Sequence, residues 1–163
     1  MGAMSAEPDL PSGVLRMLEA AAEHGLDVDV RPRPAANSLE EAAALLGLEP
    51  ADIAKTLVLR RSGGPYLFAV IGGDTQIAWP RLRAVVGVNK LTLPGADEAL
   101  AATGYERGTI TPVGSEQAWP VFVDSRLVGR RVAMGAGAHG FSAFVEVDAL
   151  VRAYAAVVAD IAG

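Results

Sequence analysis

Few residues of this chain can do chemistry, and they are of narrow kinds. Of the 14 lysines and arginines, only Lys55 and Lys90 are lysines. Lys55 stands in Ile53-Ala54-Lys55-Thr56-Leu57-Val58-Leu59, whose aliphatic and β-branched content reads as a buried strand. Strand alternation puts Lys55, Leu57 and Leu59 on one face. An ammonium beside two leucines either snorkels to a wet rim or meets an anion, because burying it alone is costly. Residue types by themselves leave both readings open. The other candidates are two glycine-rich segments, Gly108-Thr109-Ile110-Thr111-Pro112-Val113-Gly114 and Gly135-Ala136-Gly137-Ala138-His139-Gly140. Glycine and proline at this density fix a loop and let backbone approach a ligand, although tight turns use the same composition. One cation with backbone N–H groups suits an anionic substrate or an oxyanion, and no general base accompanies it.

Other chemistries lack their residues. Without cysteine there is no thiol nucleophile, disulfide or thiolate metal site. His24 falls at a helix end, where a cation favours the dipole, and reads as structural. His139, in the second glycine loop, is a site candidate. Two histidines without H-x-x-x-H spacing make no zinc site, and no metal or cofactor is expected. A Ser-His-Asp arrangement would need Ser142, Ser115 or Ser125 beside His139, but no G-x-S-x-G elbow exists. The second glycine loop is followed by strand rather than helix signal, so it is no dinucleotide fingerprint, and a Walker loop is missing. Asp97-Glu98 and Glu40-Glu41 read as solvated helix faces.

Composition sets the frame. A chain of 163 residues with 51% hydrophobic and 20% charged residues is no disordered segment, and one domain is the natural expectation. No apolar run approaches the roughly 20 residues of a membrane span. Met1 to Pro11 lacks signal-peptide regions and is expected to be a flexible tail before a domain spanning 12–163. The cytoplasm is the expected compartment. The net charge of −5 argues against a general nucleic-acid binder. Its distribution is uneven: residues 1–53 hold ten acidic and three basic residues (net −7), and residues 55–131 ten basic and six acidic (net +4). A basic region on an acidic body accommodates a local polyanion contact, and an ordinary mixed surface would lean similarly.

The positioning elements follow in order. Ser12 is the expected N-cap of a helix to about His24, with Gly25 its stop and Val14, Leu15, Leu18, Ala21 and Ala22 its apolar stripe. Leu26 to Val30 alternates as a half-buried strand, ended by Arg31-Pro32-Arg33-Pro34. Ser38-Leu39-Glu40-Glu41 fits a capping box for a helix stopped by Gly47. A turn at Pro50–Asp52 leads into the Lys55 strand, and Ser62-Gly63-Gly64-Pro65 joins it as a hairpin to the apolar strand Tyr66–Ile71. Short strands are expected at 75–78, 90–93, 120–124, 132–134 and 141–147. Helices are expected after Pro80, over 96–102, and from a cap at Asp148 through Val158. The result is a mixed α/β (α+β) single domain: a mainly antiparallel, barrel-like mixed sheet with flanking helices.

The ordered set of motifs resembles the YbaK/ProX family, the free-standing and synthetase-associated aminoacyl-tRNA deacylases. It comprises the Ile53–Val58 strand, Thr103-Gly104-Tyr105, Gly108 to Pro112 as the family's G-x-x-x-P loop, Asp124, and Gly135-Ala136-Gly137 with Gly140. The likeness runs from about Gly25 to Val158-Ala159-Asp160-Ile161. It implies metal-independent hydrolysis of the ester between a wrong amino acid and the 3′ adenosine of a tRNA, commonly tRNA for proline. Lys55 would be the key catalytic residue, as anchor of phosphate or ester oxygens or, if held neutral, as base. Gly108, Thr109, Ile110, Thr111 and Pro112, with Gly135, Ala136 and Gly137, would line the aminoacyl pocket, and His139 joins them as a substrate-binding candidate from its place in the second glycine loop. The implied partners are the acceptor end of an aminoacyl-tRNA and prolyl-tRNA synthetase. Cysteine-specific members carry a serine where this chain has Gly135, so cysteinyl specificity is not implied. A non-catalytic member holding a tRNA end or nucleotide is the alternative, and a small-molecule esterase a third.

Overall fold

The structure, a computed structural model, describes residues 9–163. Much of the proposed N-terminal tail lies outside the described residues. Among those described, the helices are α1 (Ser12–Glu23), α2 (Leu39–Leu46), α3 (Trp79–Val86), α4 (Ala96–Thr103) and α5 (Val147–Tyr154). The strands are β1 (Asp29–Pro32), β2 (Ala54–Arg61), β3 (Tyr66–Gly72), β4 (Leu91–Thr92), β5 (Val121–Asp124), β6 (Arg131–Gly135), β7 (Phe141–Glu146) and β8 (Val157–Ala159).

The strands make two open sheets, ordered β1-β7-β6 and β4-β2-β3-β5-β8, and no single closed barrel. Pairing is antiparallel except at β3-β5 and β5-β8, so the sheets are mixed but mainly antiparallel. The sheets meet where Ile53, just ahead of β2, bridges Ala133 of β6 in parallel. Alternation on β3 shows how the core divides. Phe68 and Val70 face a core shared with α1, α5 and the smaller sheet, including Met17, Val132, Val145 and Leu150. Leu67, Ala69 and Ile71 face a second core with Leu82 of α3. Leu59 lies in that second core with Leu57 packed against it, in keeping with the alternation read for β2.

Several local expectations are corrected. Pro11, not Ser12, is the N-cap of α1, and it makes no side-chain cap bond. The buried stripe of α1 is Val14, Met17 and Ala21, whereas Leu15 is 53% exposed. β1 runs on through Pro32, which an edge strand tolerates because proline's missing donor can face outward. Thr75–Ala78 forms only an isolated bridge, Ile77 to Ala162, not a strand. α5 is capped at Glu146, and the Asp148 carboxylate accepts from Gly129 N–H at 3.0 Å instead. The helix stops at Tyr154, and the following valines belong to β8. The Ser38 cap holds, its hydroxyl accepting from Glu41 N–H at 3.0 Å, and Gly47 closes α2 in the left-handed conformation.

Candidate active site

A cavity of about 400 Å³ opens where the start of β2 meets β6. Its walls are Ile53 and residues 54–58 of β2, Ala42 and Leu46 of α2, and Ala133, Met134 and Gly135 of β6. Arg107, Gly108 and Ile110 come from the first glycine loop, and Arg33, Leu93, Pro94, Ala99, Phe141 and Ser142 complete it. Three of these residues, Arg33, Lys55 and Arg107, are cations, and none is a carboxylate.

Lys55 is placed by its strand. The short turn Pro50–Asp52 brings the chain in, and Gly73 N–H donates to the Ile53 carbonyl at 2.5 Å. From there β2 pairs in register with β3, setting Lys55 opposite Ile71. Its side chain is half-buried and has no ion-pair partner among the described residues. The neighbouring Thr56 is 8% exposed, and its hydroxyl is buried with no hydrogen-bond partner among the described residues. An orphaned buried hydroxyl costs about 1–3 kcal/mol, so its presence in a cavity wall has a price in stability.

The two glycine loops are shaped mostly by their own polar groups. Thr109 donates through Oγ1 and N–H to the Glu106 carbonyl, at 2.7 and 2.9 Å. The Thr111 hydroxyl accepts from Val113 N–H at 3.2 Å, and Tyr105 Oη donates to the Val113 carbonyl at 2.7 Å. Burial pushes the Tyr105 phenol above its ordinary value, with the Arg16 guanidinium opposing. Gly137 N–H donates to the Thr109 carbonyl at 3.0 Å and ties the loops together.

Of the residues singled out from sequence, Lys55, Gly108, Ile110 and Gly135 line the cavity. Thr109, Thr111, Pro112 and Ala136 are buried behind its wall, and Gly137 braces one loop on the other. His139 is outside the lining, exposed on the surface and 3.5 Å from the Glu106 carboxylate. Sequence reasoning assigned no site role to Arg33, Thr56 or Arg107, and considered Ser142 only as a nucleophile. The available signals were an arginine held between two prolines, a hydroxyl within an aliphatic run, and an arginine directly before Gly108.

The cavity is thus cationic and carboxylate-free, walled by the lysine strand and the two glycine segments. Residues 33–153 match the aminoacyl-tRNA editing domain. The chain belongs to that family. Among curated relatives, the proline–tRNA ligase of Nitratidesulfovibrio vulgaris strain Hildenborough is 33% identical over 129 residues, covering 76% of this chain and 22% of the ligase. That of Shouchella clausii is 33% identical over 119 residues, covering 72% of this chain and 20% of the ligase. The chain thus spans about a fifth of the length of these relatives. Among solved structures, a candidate trans-editing enzyme for prolyl tRNA synthetase superposes with a TM-score of 0.86 at 25% identity, covering 95% of this chain and 99% of the other. A hypothetical protein of known structure gives 0.83 at 29% identity, over 91% and 99%. The editing domain seen here is therefore of YbaK/ProX type. No helix among the described residues is long and apolar enough to cross a membrane.

Proposed function

We propose that this editing domain is a trans-acting aminoacyl-tRNA deacylase, hydrolysing the ester of a tRNA for proline that carries a small wrong amino acid. The observation that carries the reading is the cavity itself, with Arg33, Lys55 and Arg107 in its lining and no carboxylate to repel a polyanion. Lys55 acts as the anchor for the terminal phosphate or the ester oxygens. The Thr109 N–H is engaged by the Glu106 carbonyl, and the N–H groups of the lining residues Gly108 and Ile110 are assigned to orient the substrate carbonyl. Water adds to that carbonyl, the tetrahedral intermediate collapses, and the bond to the ribose oxygen breaks. Free amino acid and an intact tRNA 3′ end leave. With no carboxylate or imidazole in the lining, a ribose hydroxyl or the amine of the substrate assists the water. The route draws on no metal ion. It is the second sieve of proofreading, hydrolysing what a synthetase cannot reject.

The test is a deacylation screen with alanyl-, seryl-, threonyl- and cysteinyl-tRNA on matched and mismatched tRNA bodies. Release of a small amino acid from tRNA for proline is the expected result. The lack of a general base in the wall favours one rival, a member that holds a tRNA end without hydrolysing it. Tight tRNA binding with no release from any substrate would establish that rival instead.

A further inference from the structure

Both site loops are gripped from outside the matched region, by α1, which precedes residue 33. Arg16 of α1 donates from Nε to the Gly114 carbonyl at 2.8 Å and from Nη2 to the Gly104 carbonyl at 2.9 Å. One planar guanidinium therefore holds both ends of the loop that carries Arg107, Gly108 and Ile110. The same group lies 4.4 Å from the centre of the Tyr105 ring, whose hydroxyl is bonded to Val113 inside that loop. Gly104 and Gly114 both have positive φ, at 79° and 80°, and their carbonyls are presented to Arg16 by those turns.

The second loop is held by the first turn of α1. A Cβ on Gly13 would overlap the Gly137 carbonyl, and one on Gly137 would lie 2.9 Å from Tyr105 Cε1. Main chain thus packs on main chain, and only glycine permits it. Gly137 in turn donates to Thr109 of the first loop.

We infer that Arg16 is a positioning residue for the deacylation site, acting with Gly13 to hold the two glycine loops at the separation that shapes the cavity. Arg16 is absent from the cavity lining and acts through Gly104 and Gly114. This inference rests on the deacylase reading for its kinetic consequence, and on backbone contacts alone for its structural one.

The experiment replaces Arg16 by Ala, Lys and Gln, and Gly13 by Ala. Amide hydrogen exchange at Thr109 and Gly137 is read against the amides of β3, and kcat and KM are measured on the substrate found in the deacylation screen. In Arg16→Ala, Thr109 and Gly137 exchange at least about ten-fold faster while β3 amides keep their protection, as local opening requires. Loop displacement lowers kcat roughly ten- to hundred-fold, the scale set by misplacing reacting groups by about an ångström. Arg16→Lys, able to serve one carbonyl at a time, recovers part of that loss. If Arg16→Ala does not fold, Arg16→Gln and Arg16→Lys carry the same comparison. Unchanged loop exchange in folded variants overturns the inference, as does loosened exchange with undiminished kcat. A wild-type chain that hydrolyses no aminoacyl-tRNA contradicts the deacylase reading instead, and the exchange data still decide whether Arg16 holds the loops.

Discussion

Gly135 meets Ile110 backbone to backbone: a Cβ built on Gly135 would lie 2.5 Å from the Ile110 carbonyl oxygen. The end of β6 and the first glycine loop are in contact because no side chain separates them. A Gly135→Ser or Gly135→Ala chain must push that loop away. Overpacking of this kind costs about 1–3 kcal/mol. The expected outcome is a lower urea midpoint together with at least about ten-fold weaker deacylation. A variant with wild-type midpoint and activity would show that the contact does not shape the cavity.

The orphaned hydroxyl of Thr56 gives a prediction of opposite sign for stability. Thr56→Val keeps the β-branched shape of a core-facing strand position and removes the unpartnered oxygen. Stability should rise by about 1 kcal/mol in urea unfolding. A destabilised Thr56→Val would mean that the hydroxyl has a partner.

The three cations in the cavity wall should make binding of the proposed tRNA substrate salt-dependent. Arg33→Ala and Arg107→Ala should each raise KM several-fold with little change in kcat. Each should also flatten the plot of log Kd against log salt by roughly 0.7 to 1, as loss of one phosphate contact does. Filter binding across a salt series measures this. An unchanged slope for both variants would remove these arginines from the substrate site.

Tyr154 contributes to the alkaline limit. Burial, followed by the nearby Tyr105, pushes its phenol up to about 12. A pKa raised on folding gives stability that is fully present below the unfolded value, about 10, and lost as pH climbs through the folded one. The loss falls between about pH 10 and 12. Thermal unfolding across that range should show a falling midpoint, and Tyr154→Phe should flatten the fall.

How much of this was legible depends on how local each signal is. The hairpin at Ser62–Pro65, the Ser38 cap and the glycine stop at Gly47 rest on residues adjacent in sequence, and all form as read. α5 overran on paper because Ala155, not a glycine, takes the left-handed turn at φ 49°, leaving Val157 and Val158 without a visible break before them. Thr75–Ala78 failed as a strand because its partner is the far C-terminal Ala162. Lys55, Gly108, Ile110 and Gly135 could be singled out because a lysine in an aliphatic run and dense glycines are unusual. Arg33 and Arg107 look like surface arginines until the fold brings them to one cavity. Arg16 looks like the polar side of an ordinary helix, and only the loop carbonyls it meets give it a purpose.

The central claim is that Lys55 anchors an aminoacyl ester in this cavity. It is tested most directly by comparing wild-type and Lys55→Ala chains for release of labelled amino acid from mischarged tRNA for proline, with circular dichroism as the check on folding. The half-buried side chain has no ion-pair partner among the described residues, so the variant should stay folded and lose deacylation by at least about 10²-fold, as loss of a charge stabilising the reacting oxygens does. A folded Lys55→Ala chain that releases amino acid at the wild-type rate would contradict the account.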